Sequence, residues 1–206
     1  MTALLANLRN TMIVSFILAV IFIAAYFSAY GGVADQIFWT AIFRWLHVLF
    51  GIMWIGLLYY FNFVQSRKMP DIPAELKPAV SKYIAPEALF WFRWAALFTV
   101  LAGICVAALR GKDYAEGVFT FGLAGGLTPD KYGYTLMGIG IYLALIMFLN
   151  VWGVIWPNQK RALGIVDADA DTKAKSARIA GMASRVNVLL SLPMLTSMAM
   201  YQTLFG

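Results

Sequence analysis

Seven residues in one apolar stretch have types and spacing that can do chemistry. The stretch is 38–65, FWTAIFRWLHVLFGIMWIGLLYYFNFVQ. At about 100° per residue, Arg44, His47, Gly51, Trp54, Leu58, Asn62 and Gln65 share a stripe about 80° wide. The other faces carry Phe, Leu, Ile, Val, Met and Tyr. Ionisable groups inside a span are costly and usually face a bundle interior or a cavity. His47 is the only histidine in the chain. It can serve as a metal or haem-iron ligand or as a proton relay, with Arg44 holding an anionic group such as a haem propionate or an anionic substrate. With one His, a haem needs a second ligand of another type or from another subunit. The competing reading is a polar pair satisfied by neighbouring helices, with Arg44 snorkelling to the interface.

Other polar residues in apolar surroundings are fewer. Asn150 and Asn187 can line a cavity together with Trp54 and the rest of the stripe, or act as interhelical hydrogen-bonding groups. Arg93, inside FWFRW, reads as a snorkelling side chain. Phe43-Arg44-Trp45 and Phe92-Arg93-Trp94 repeat a tripeptide, a weak sign of an inverted repeat. Asp167, Asp169 and Asp171 imitate the start of a calcium loop, but Thr172 and Arg178 stand where Gly and Glu belong. Phosphate-binding glycine loops, a hydrolase elbow and paired intramembrane carboxylates are absent from the sequence.

The elements that must position these residues are membrane spans. The chain is 62% hydrophobic and 13% charged, against about 45–50% and about 25% for a soluble domain. Five stretches reach the roughly 20 apolar residues a span needs: 11–30, 38–65, 88–110, 133–157 and 183–205. The predicted fold is therefore all-α, a single polytopic domain over 1–206. The first stretch has little polar content and belongs at the lipid periphery. It reads as a retained span, not a cleaved signal peptide. Segment 66–87 has four prolines and predicts a loop with at most a short helix. Loop 111–132 is glycine-rich and carries Pro129. Span four is expected to end at Pro157, and 158–182 to hold a short surface helix. Gly103 with Ala107, and Gly140 with Ala144, are small pairs suited to close helix contact. Cys105 reads as a small packing residue.

Charge sets the expected orientation. The net charge of +6 fits basic cytoplasmic loops better than a nucleic-acid partner. Arg9, Arg67, Lys68, Lys77, Lys82, Lys160, Arg161, Lys173, Lys175, Arg178 and Arg185 fall on one side. Arg110, Lys112 and Lys131 fall on the other. Eleven against three puts the N-terminus in the cytoplasm and the C-terminus outside, in the periplasm.

Three pieces resemble a known family. RWLHVLFGIMWIGLLYYFNF (44–63), NVWGVIWPNQKR (150–161) and SRVNVLLSLPMLTSM (184–198) are similar to the membrane domain of PuuD-type bacterial urate hydroxylases. The resemblance implies a multi-pass protein of the bacterial inner (cytoplasmic) membrane that passes electrons from urate oxidation to cytochrome c. In full-length members a cytochrome c domain follows the membrane domain; the resemblance here is to a short form lacking it. The family carries further histidines in its later spans, where this chain has Val186 beside Asn187 and no second His. Arg44, Trp45, His47, Gly51, Trp54, Gly56, Asn150, Pro157, Asn158, Gln159, Arg185, Asn187 and Pro193 carry over as family positions.

Two functions follow as expectations. One is a urate-hydroxylase-like redox subunit delivering electrons to a separate cytochrome c, with His47, Arg44, Trp54, Asn150 and Asn187 as cofactor-binding residues. The other is a non-catalytic accessory subunit of a larger respiratory or photosynthetic complex that binds lipid, quinone or pigment. A urate transporter rests only on the tripeptide repeat. The expected partners are the bilayer and other membrane subunits or a cytochrome c.

Overall fold

A computed structural model describes residues 2–123 and 131–205. It is all-helical over these residues, and five helices are long and apolar enough to cross a membrane. We label them with one short extra helix: α1 Leu8–Ala29, α2 Gln36–Asp71, α3 Lys77–Leu109, α4 Lys112–Phe119, α5 Tyr132–Ala162 and α6 Ala170–Leu204. The glycine-rich part of loop 111–132, with Pro129, lies outside the described residues.

Four helices make the bundle and one stays out of it. α2 packs on α3, α5 on α6, α6 on α2 and α3 on α5. Each neighbour pair is antiparallel: Phe50 meets Phe98 and Phe61 meets Phe92 across α2 and α3, and Trp94 meets Trp152 across α3 and α5. The core holds Trp54, Leu58, Phe92, Ala96, Met147 and Val151. No residue of α1 is buried, which agrees with a peripheral first span. A Gly31–Gly32 turn, both residues at positive φ, sends α1 away. α1 touches α2 through Phe27 on Phe38, and in the turn between them the Tyr30 hydroxyl donates to Asp35.

Small residues set the helix separations. A Cβ on Gly103 would stand 2.9 Å from His47 Nδ1, and one on Gly140 would collide with Ser197 Oγ. The Gly103 and Gly140 positions are thus real crossing points, as the small-residue spacing implies.

Several boundaries differ from the sequence reading. The proline-rich segment 66–87 is largely helical. α2 continues to Asp71, and α3 begins at Lys77 with Pro78 in its first turn. Proline is tolerated there because the first-turn N–H groups have no intrahelical partner anyway. Pro86 lies farther in, and the chain widens to a π-turn at Val80–Ile84 just before it. Pro157 does not end span four. A π-turn at Val151–Ile155 precedes it and the helix runs on to Ala162. A third π-turn, Tyr60–Gln65, lies in α2. Segment 158–182 gives no separate surface helix; its later part is the start of α6, 35 residues long. At 1.5 Å per residue that is about 52 Å, well beyond the bilayer core of about 30 Å. α6 is capped by Asp169, whose carboxylate accepts from the Thr172 N–H at 2.8 Å and its hydroxyl at 2.7 Å. Of the aspartate run, Asp169 is thus the helix cap. The loop 111–132 also contains a helix, α4, entered through Gly111 at φ 101°.

Candidate functional site

The candidate residues separate into three places along the bundle. The first is a polar ladder where α2, α5 and α6 meet. α6 presents Ser184, Asn187 and Ser191 at spacings of three and four, which places them on one face. Asn187 and Ser191 have no exposed surface. Asn62 donates to Ser184 Oγ at 2.8 Å and to its own Leu58 carbonyl at 2.8 Å. The Tyr59 hydroxyl and Ser191 Oγ are 3.0 Å apart, and Ser191 donates to the Val188 carbonyl. Asn150 and Asn187 interlock. Asn150 Nδ2 donates to Asn187 Oδ1 at 2.7 Å and to the Ala183 carbonyl at 2.8 Å, while Asn187 Nδ2 donates to the Met147 carbonyl at 3.1 Å. Each amide thus reaches a carbonyl of the opposite helix, close to the other asparagine in sequence.

The second place is His47. It is half-buried against α3, with Nδ1 2.8 Å from the Thr99 carbonyl oxygen. A carbonyl only accepts, so Nδ1 carries the proton and Nε2 carries the lone pair. Nε2 has no hydrogen-bond partner among the described residues. That tautomer is the one a metal-ligating imidazole adopts. His47 is the only histidine in the chain, so a bis-histidine haem within it has no second ligand. No group of three His, Cys, Asp or Glu side chains able to hold a metal forms among the described residues. The ring is also seated so closely on α3 that a methyl at Gly103 would overlap it. His47 precedes Asn62 by fifteen residues, about 22 Å along a helix axis. The stripe on α2 therefore does not gather His47, Asn150 and Asn187 into one cavity.

Trp54 lies between these two places and is 1% exposed. Its indole N–H, like that of Trp152, has no partner among the described residues. Arg93 is half-buried, with its guanidinium 3.9 Å from the Trp156 ring centroid and 5.3 Å from that of Phe90. A guanidinium stacked on an indole is held by the ring's negative face.

The third place is the α1 end of the bundle, where Arg44 is exposed. A cleft of about 610 Å³ here is lined by Asp35, Gln36, Thr40, Arg44 and Arg110. Beside it an apolar cleft of about 580 Å³ lies between α1 and α2. Arg110 is stacked 4.2 Å from the Tyr114 ring centroid. The Phe38 N–H and the Tyr30 hydroxyl hold the Asp35 carboxyl below the usual carboxylate range.

Sequence reasoning missed Thr99, Tyr59, Ser184 and Arg110. Thr99 had a usable signal, since it continues the four-residue spacing of Gly103 and Ala107. Ser184 had one too, one turn before Asn187. Arg110 gave none, because its place in one cleft with Arg44 depends on the crossing of α2 and α3. No family model, no curated protein and no solved structure matches this chain.

Proposed function

We propose that this multi-pass protein is a non-catalytic accessory subunit of a larger membrane complex. One observation carries the reading: the polar side chains where α2, α5 and α6 meet bond to one another. Tyr59, Asn62, Asn150, Ser184, Asn187 and Ser191 all join helix to helix. Such bonds hold a bundle together and leave few free groups for a substrate. The unburied, mostly apolar α1 offers surface to neighbours. The charge imbalance between the two ends supports an inner-membrane location with the N-terminus cytoplasmic.

A second reading is a urate-hydroxylase-like redox subunit that feeds a separate cytochrome c. The unpartnered Nε2 of His47 favours it, with the other metal ligand coming from another chain. One preparation separates the two readings. The protein is purified from its own membranes in mild detergent, its companions are identified, and an absorption spectrum is taken. The accessory reading expects companion subunits at fixed stoichiometry and no haem band that depends on His47. A Soret band lost in His47→Ala, or a protein that purifies alone, overturns it.

A further inference from the structure

The two clefts at the α1 end are one recess with two chemistries. Ile37 and Ala41 line both. On one side the walls are Phe22, Tyr26 and Trp45, and on the other are Arg44 and Arg110. The remaining polar groups in the cationic half are already used. The Asp35 carboxylate accepts from the Tyr30 hydroxyl at 2.9 Å and from the Phe38 N–H at 2.9 Å. The Gln36 side-chain amide donates to the Leu109 carbonyl, and Thr40 donates to the Gln36 carbonyl. Arg44 has no hydrogen-bond or ion-pair partner among the described residues. It is a free planar donor suited to phosphate oxygens.

A small aqueous anion would leave the apolar half unfilled. An apolar helix would leave Arg44 unanswered, at the cost an unpaired charge carries in a membrane. We infer that the recess binds one anionic phospholipid, with its phosphate on Arg44 and beside Arg110 and an acyl chain in the groove between α1 and α2. The site is independent of the accessory-subunit reading, since it uses neither the polar ladder nor His47.

Native mass spectrometry of the intact protein released from micelles tests this. Phosphatidylglycerol and phosphatidylcholine with identical chains are titrated against wild type, Arg44→Gln, Arg44→Lys and Ala41→Trp. Wild type is expected to retain phosphatidylglycerol over phosphatidylcholine by about fivefold or more, as one basic residue near a membrane surface supplies. Arg44→Gln removes about fivefold of that preference and leaves phosphatidylcholine binding unchanged. Arg44→Lys restores part of the preference, and Ala41→Trp weakens both lipids. Arg44 is exposed, so its replacement leaves the fold intact, which circular dichroism checks. Equal retention of the two lipids, a preference unchanged in Arg44→Gln, or displacement by inorganic phosphate alone overturns the proposal. So does a dimer that forms only without lipid and is lost in Ala41→Trp, because a second copy would then fill the groove.

Discussion

Replacing Asn187 with alanine removes the side chain that ties α5 to α6 through both of its ends. Its Oδ1 accepts from Asn150 at 2.7 Å and its Nδ2 donates to the Met147 carbonyl at 3.1 Å. Side-chain hydrogen bonds between membrane helices average about 0.6 kcal/mol and reach about 1.7. Two of them give roughly 1.2–3.4 kcal/mol by that scale. The site has no exposed surface, so the vacated volume adds a fraction of a kcal/mol (~0.5). Asn187→Ala should therefore destabilise by about 1.5–4 kcal/mol. Asn187→Leu, which keeps the volume, should recover only the cavity part. Reversible unfolding in mixed micelles, followed by circular dichroism, reads these values. Adding Asn150→Ala closes a double-mutant cycle that isolates the amide–amide bond. A coupling of about 0.6 kcal/mol is expected. If Asn187→Ala stays within about 0.5 kcal/mol of wild type, or the two substitutions add within about 0.3 kcal/mol, the ladder is not what holds α5 on α6.

The remaining predictions concern other contacts. Gly103→Ala and Gly140→Ala should each cost about 1–3 kcal/mol by overpacking, because the new methyls meet the His47 ring and Ser197. Gly56→Ala has open space around it and should be neutral or stabilise by up to about 1 kcal/mol; thermal melts of the three variants rank them. The Thr172 N–H and hydroxyl hold the Asp169 carboxyl below its ordinary value. Its cap contribution is therefore present above the unfolded carboxyl pKa and lost as pH falls through the lower folded value. Amide exchange at Thr172 and Lys173 should be faster in Asp169→Ala than in wild type at pH 7, and the two should converge in strong acid. Burial, with Tyr201 nearby, pushes the Tyr114 phenol up to about 12. An ultraviolet titration should show a late-ionising tyrosine that Tyr114→Phe removes. Since the raised value favours the neutral phenol, stability should fall as pH climbs from the ordinary tyrosine pKa of about 10 toward that value.

The spans were legible because their signal is length and apolarity, which burial in a bilayer imposes on every residue. The peripheral place of α1 was legible for a related reason: it has no polar residue that needs a neighbouring helix. Helix ends were less so. The prolines at 70, 73, 78 and 86 read as a loop, yet Pro78 sits in a first turn and Pro86 follows a widened one. Local proline rules do not reveal that a π-turn can absorb the ring. The α2 stripe was partly right. Trp54 and Leu58 are buried and His47 faces α3, while Arg44 turns out to be exposed. A face computed from one helix could not show that Asn150 and Asn187 answer each other, or that Arg44 and Arg110 line one cleft. Those pairings belong to the helix crossings.

The π-turns at Tyr60–Gln65, Val80–Ile84 and Val151–Ile155 also mark where the chain has slack. Each wide turn fits one more residue into its circuit than a regular helix would. Removing one residue there can tighten the turn to ordinary α geometry and leave the apolar half of the same helix in register. All three lie toward the basic end of their helices. Gains and losses of single residues are thus most tolerable where the helices leave the membrane, and least tolerable at the crossings near Gly103 and Gly140.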